Sequence, residues 1–145
     1  MMKRLLSRWV AGGGGIGGCR LASSSSPDSM LAWQIDAYNS GLSMNKVRVP
    51  RIDSPTDMLV EVKAASVNPI DVRMSEGYGN TIVGVMRQIG QRSLNPVSPF
   101  PLTLGRDCSG VVREVGRGVQ RFRPGDEVYC AIGAQRPGTH AQFAL

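Results

Sequence analysis

The segment FPLTLGRDCSGVVREVGRGVQRFRPGDEVY, residues 100–129, decides the fold. Its apolar runs are short: GVVREV at 110–115, and EVYCAI at 127–132, which begins inside the segment and runs past it. Turn residues separate them. Pro124-Gly125-Asp126 shows its turn chemistry openly, because proline presets one backbone dihedral and glycine permits a positive one. Gly105, Gly110, Gly116 and Gly125 mark places where a strand must bend or where two backbones come close. Short strands punctuated by glycine and proline predict a small, partly open barrel.

Working upstream, MLVEVKAASV (58–67) has a period of two that puts Val60, Val62 and Ala64 on one face, and Pro55-Thr56-Asp57 is the turn before it. Asn68-Pro69 stops this strand. A proline at a first helical position suits a short helix through Ile70, Asp71, Val72, Arg73 and Met74, ended by Gly77. MLAWQIDAY (30–38) and HAQFAL (140–145) are further strand candidates. Residues 78–101 contain no acid and little pattern; they read as a loop with one helical turn around Val83–Ile89. A loop of that length in a compact domain is uncommon and often functional.

The formal charge is +6, yet four of the 17 basic residues (Lys3, Arg4, Arg8, Arg20) precede the first acid, Asp28. The remaining basic residues are scattered. Arg113, Arg117, Arg121 and Arg123 are interleaved with valine and glycine, not with stacking aromatics, so a nucleic-acid surface is excluded as the main reading. Cys19, Cys108 and Cys130 include no C-x-x-C pair. This spacing argues against a disulfide framework or a multi-cysteine zinc site and for reduced, mostly buried thiols. No base neighbours Cys108 in sequence to make it a nucleophile.

Residues 1–28 differ from everything after them. Leu5, Leu6, Trp9 and Val10 would share one side of a helix and Arg4 and Arg8 another, followed by glycine-rich and serine-rich stretches. An arginine-rich, serine-rich, acid-poor start has the composition of an organelle transit peptide, the alternative being a disordered tail. GGGGIGG at 12–18 follows no strand and opens no helix, so it reads as a spacer and not as a dinucleotide fingerprint.

Two segments, ASVNPIDVRMSEGYG (65–79) and 100–129, together resemble the N-terminal GroES-like domain of the medium-chain dehydrogenase/reductase superfamily. They are most similar to its quinone-oxidoreductase branch. The pattern there runs VNP-x-D, then P-x-x-x-G-x-D-x-x-G-V-V-x-x-V-G, then F-x-x-G-D-x-V, and the likeness covers roughly residues 30–145. It implies a mainly β fold with short helices, a GroES-like partly open β-barrel occupying 29–145, with the Rossmann domain of the superfamily missing. It also implies an NADPH-dependent oxidoreductase of mitochondria acting on a quinone or carbonyl, with this portion inactive alone. The alternative is a non-catalytic mitochondrial interaction module. A peripheral membrane or protein partner would then meet the acid-free stretch 78–101 with its Arg87 and Arg92.

Zinc-binding members of the superfamily carry a cysteine at the position matching Asn68 and a His-Glu pair matching Arg106-Asp107. An amide and a guanidinium there imply no zinc, since arginine has no lone pair to give. Arg106 and Asp107 are expected to form a local ion pair. His140, the sole histidine, cannot rebuild a ligand set and is read as exposed. Catalysis without a metal rests on positioning and hydrogen bonds. By resemblance, Asn68 and Asp71 are the catalytic candidates, and Asn68 and Tyr78 the cofactor-binding ones.

Overall fold

A computed structural model describes residues 2–4, 27–90 and 98–145. Along the chain these form β1 (Met2–Arg4), β2 (Ser29–Ile35), β3 (Ser43–Arg48), β4 (Met58–Ala64), α1 (Pro69–Ser75) and α2 (Asn80–Gly90). There follow β5 (Leu102–Thr103), β6 (Asp107–Val115), β7 (Glu127–Ala131) and β8 (Phe143–Ala144). A five-stranded sheet runs in the order β1-β7-β6-β4-β8, and a three-stranded sheet in the order β3-β2-β5. All named pairings are antiparallel. The two sheets do not close on each other. They are stitched by residues 140–142, where Trp33 N–H donates to His140 O at 2.8 Å, Val62 N–H to Gln142 O at 2.9 Å and Gln142 N–H to Leu31 O at 3.0 Å.

Three apolar clusters fill the space between. Met30, Val49, Leu59 and Phe143 join the sheets. Val60, Val112, Phe122 and Val128 lie under the β4–β6–β7 ribbon. Ile35, Met74, Leu102 and Leu104 seat α1 against β2 and β5.

The expected alternation of β4 holds only in part. Leu59 and Val60 are both buried, and the β4–β6 register shifts between them and again between Val62 and Ala64. Such irregularities put neighbouring side chains on unexpected faces. Residues 80–90, expected to hold one helical turn within a loop, are a full helix. Its glycines and β-branched residues weaken the intrinsic helical signal, which obscures an i, i+3, i+4, i+7 spacing of Ile82, Val85, Met86 and Ile89. Strands β3 and β5 are too polar or too short to stand out in the sequence. Met2–Arg4 lies along β7 as an edge strand and not in the helix drawn for the N-terminus. The outer edge of a sheet accepts an added extended segment in this way because its strand can pair with a further backbone. The apolar side of that helix, Leu5, Leu6, Trp9 and Val10, and the spacer at 12–18 lie outside the described residues.

The central β4–β6 pairing depends on Gly110, whose partner is Val62. A Cβ at Gly110 would strike the backbone carbonyl of Glu61, with Val60 Cγ1 at 2.8 Å behind it. Gly84 on α2 has open space around its missing side chain. Gly110→Val is expected to lower stability by more than about 3 kcal/mol in urea unfolding, whereas Gly84→Ala leaves it unchanged or slightly raised.

Candidate functional site

Helix α1 begins at Asn68, whose extended backbone (φ −110°, ψ 158°) hands over to Pro69 at the first helical position. Proline costs nothing there, because the first-turn N–H groups have no helical partner. Asp71, three residues on, returns its carboxylate to that end. Its Oδ2 accepts the Asn68 N–H at 2.8 Å. Its Oδ1 accepts the Gly105 N–H at 3.2 Å. Asp71 is 2% exposed, so one buried carboxylate ties the start of α1 to the turn before β6. Gly105 itself has φ 93°, and a Cβ there would lie 2.8 Å from the His140 nitrogen.

The Asn68 side chain is fixed from the other direction. Its amide nitrogen donates to Asp107 Oδ2 at 2.9 Å and to Ser66 Oγ at 3.2 Å. Ser66 adds its hydroxyl and, at 3.3 Å, its backbone N–H to Asp107 Oδ1. The Ser66 hydroxyl first, and then the Asn68 amide, hold the Asp107 carboxyl below its ordinary range. His140 Nε2 lies 3.0 Å from the Ser66 carbonyl, which can only accept, so Nε2 is the donor of this contact. The ring is half-buried, not exposed as expected.

The expected Arg106–Asp107 ion pair does not form. Arg106 is buried at 8% exposure and donates to the carbonyls of Gly133 (3.1 Å), Arg136 (3.1 Å) and Thr103 (3.4 Å). Asp107 points to Ser66 and Asn68. Consecutive residues entering a strand face opposite sides, so neighbours in sequence are not partners in space. Burial pushes the Arg106 guanidinium down, partly offset by Asp71, and its Nε is the one buried side-chain polar atom without a partner among the described residues.

Asn68 and Asp71 are thus brought together. Tyr78 is 65% exposed and lies outside both the Asn68 cluster and the trough described next. That trough, of about 810 Å³, runs beside α1. Leu31, Trp33 and Met44 form one wall, Val62, Val67 and Val72 another, and Asp71 and His140 also border it. A smaller hollow of about 390 Å³ is lined by Ser66, Asp107, Cys108, Tyr129 and Cys130. Asn68 stands between the two, with Val67 and Asp71 facing the trough and Ser66 and Asp107 the hollow. Sequence reading missed Ser66, the anchoring role of Asp107 and the trough. One signal was available for the last: MLAW in β2 is apolar on both faces, which a strand covered on one side only does not need.

Comparison with known proteins places this geometry. The alcohol dehydrogenase GroES-like domain family matches residues 54–144, more than half of the chain, and the chain belongs to it. It is 43% identical over 122 residues to reticulon-4-interacting protein 1, mitochondrial, of Caenorhabditis elegans, covering 84% of this chain and 33% of that protein. It is also 43% identical over 131 residues to the human NAD(P)H oxidoreductase RTN4IP1, mitochondrial, covering 87% of this chain and 33% of the relative. Among solved structures, the quinone oxidoreductase from Coxiella burnetii superimposes with a TM-score of 0.64 at 29% identity, covering 80% of this chain and 34% of that one. The chain therefore spans about a third of the length of these relatives.

A lowered Asp107 pKa gives the acid response of this cluster a definite sign. The carboxylate stabilises the fold above the unfolded carboxylate pKa of about 3.9, and that contribution is lost as pH falls through the lower folded value. Asp107→Asn is expected to melt below the wild-type temperature by a constant margin from pH 8 to 5, the margin closing as pH approaches 3. Thermal unfolding followed by circular dichroism checks both the margin and its closure.

Proposed function

We propose that residues 29–145 are the substrate-side domain of a zinc-independent, NAD(P)H-dependent reductase of quinones or related carbonyls, and that residues 1–28 address it to mitochondria. The observation that carries this reading is Asn68: an amide held by Asp107 and Ser66 stands beside an apolar trough, at a position where zinc-binding members carry a thiolate. Zinc independence is supported by the donor set. Asn68 has spent its amide nitrogen, Arg106 is committed to three carbonyls, and no group of three His, Cys, Asp or Glu side chains gathers among the described residues. Zinc requires three such ligands at about 2.0–2.3 Å.

NADPH, when bound, supplies the hydride. The protein's part is orientation. With both Asn68 amide hydrogens engaged, the group left to present is its carbonyl oxygen, an acceptor suited to the carboxamide N–H of a nicotinamide and unsuited to a substrate oxygen. Asp71, buried and already bridging Asn68 and Gly105, positions Asn68. Tyr78, exposed beyond Gly77, is assigned the outer border of the cofactor cleft. The trough takes a flat apolar substrate. The word mitochondrial in the relatives' names, together with the acid-free composition of residues 1–27, supports the address.

The described residues contain no doubly wound α/β unit of the kind that holds dinucleotides. The 145-residue chain by itself is accordingly expected to show negligible NADPH binding and turnover. Titration of the purified chain followed by NADPH fluorescence tests this, and micromolar affinity would overturn it.

A second reading, a non-catalytic interaction module, is favoured by α2. Ile82, Val85, Met86 and Ile89 are 65%, 51%, 50% and 72% exposed along one stripe, an arrangement that a helix bathed only in water does not need. If the stripe rests on a membrane surface, the chain co-sediments with vesicles of anionic lipid, and Ile82→Asp with Ile89→Asp abolishes this. Wild-type chain left in the supernatant removes the membrane form of the reading.

A further inference from the structure

Cys108 and Cys130 are 22 residues apart in sequence but directly opposite each other in the β6–β7 ladder. Their sulfurs lie 3.5 Å apart. Both residues are buried, at 6% and 5% exposure, and both are free thiols. Directly opposed residues in an antiparallel pair have Cα atoms about 4.5–5.5 Å apart, inside the 4.4–6.8 Å window that a disulfide accepts. Burial does not seal them off, since both cysteines line the 390 Å³ hollow with Ser66, Asp107 and Tyr129. A reagent the size of hydrogen peroxide can enter there.

The pair is also chemically asymmetric. Either S–H can donate to the other sulfur; the hydrogen bond between them lowers the Cys130 thiol and, with burial, raises that of Cys108. A thiolate is the reactive form, so Cys130 is the sulfur ready to attack and Cys108 the one ready to resolve.

We propose that Cys108 and Cys130 are a redox modification site, oxidised by peroxide to an intramolecular disulfide across β6 and β7 and restored by a dithiol reductant. The Cys130 thiolate attacks one peroxide oxygen, the O–O bond breaks, and a sulfenic acid forms as hydroxide leaves and is protonated. The Cys108 sulfur then attacks the Cys130 sulfur, the S–O bond breaks, and the second oxygen leaves as water. Two thiols and one hydrogen peroxide become one disulfide and two waters, with two electrons passing from sulfur to oxygen.

The consequence reaches the site next door. Bonding brings the sulfurs from 3.5 Å to about 2.05 Å, and Cys108 directly follows Asp107, the anchor of the Asn68 amide. Disulfide formation therefore shifts the carboxylate that fixes Asn68. This last link rests on the proposed role of Asn68; the disulfide itself does not.

The test is mass spectrometry of the purified chain after peroxide treatment, acid quench and alkylation under denaturing conditions. The expected product loses two alkylatable thiols and two hydrogens, yields one peptide pair joining Cys108 to Cys130 with Cys19 still alkylated, and returns to three free thiols with dithiothreitol. Cys108→Ser is expected to stop at a sulfenic acid on Cys130 that dimedone traps. Full alkylation of both cysteines in peroxide-treated wild-type chain overturns the proposal, as do cross-links through Cys19 or sulfinic and sulfonic acids without the 108–130 pair. The readout involves neither NADPH nor turnover, so failure of the reductase reading leaves it standing and its own failure leaves that reading untouched.

Discussion

A single buried carboxylate ties the start of α1 to the turn before β6. Asp71 accepts one N–H from Asn68 at the start of α1 and one from Gly105 at the turn into β6. Both donors belong to segments that regular secondary structure cannot satisfy: the first turn of a helix and a left-handed glycine. Without the carboxylate, the buried Gly105 N–H would be orphaned at a cost of about 1–3 kcal/mol, and the part-buried Asn68 N–H would lose its partner as well. With it, a short helix and a strand distant in sequence are locked at one relative position. The placement of Asn68 relative to Asp107 follows from that lock.

From this point the rest of the site can be built outward. Gly105 lets the chain turn sharply, Arg106 is drawn inward to three carbonyls, and Asp107 emerges on the opposite side toward Ser66 and Asn68. The amide thus receives its orientation from β6 and its position from α1. The trough to one side is apolar because β2 spends both faces on hydrophobic side chains. Exposed Leu31, Trp33 and Met44 form an apolar surface of the kind that marks a binding or packing site.

Much of the fold was legible because turn chemistry is local. Asn68-Pro69 opens α1, Gly77 lies just past its end and Pro124-Gly125-Asp126 leads directly into β7, although β4 already ends at Ala64, short of the Val67 its pattern suggested. Less legible were features set by pairing. The register shifts in β4, the two-residue β5 and the polar β3 exist because partners across the sheet hold them, and nothing in their own residues demands it. Helix α2 was obscured by Gly84 and its β-branched neighbours, which lower helical propensity while leaving the 3–4 spacing intact. At the site, the sequence marked Asn68 and Asp71 but paired Arg106 with Asp107 by adjacency. Ser66, and the meeting of Cys108 with Cys130, became visible only when the strand register put them side by side.

The stitch at residues 140–142 carries a kinetic consequence. Leu31 and Gln142 exchange backbone and side-chain hydrogen bonds across 111 residues of sequence, and Val60 in β4 pairs with Ala144. Contacts of such separation close large loops before they return any stability, so chains built on them fold slowly. The apolar β2 is made early during synthesis and waits unpaired on its 140–142 side until that segment has emerged from the ribosome. The same delay leaves the apolar stretch MLAWQI uncovered in the interval, exposed to association with other unfolded chains.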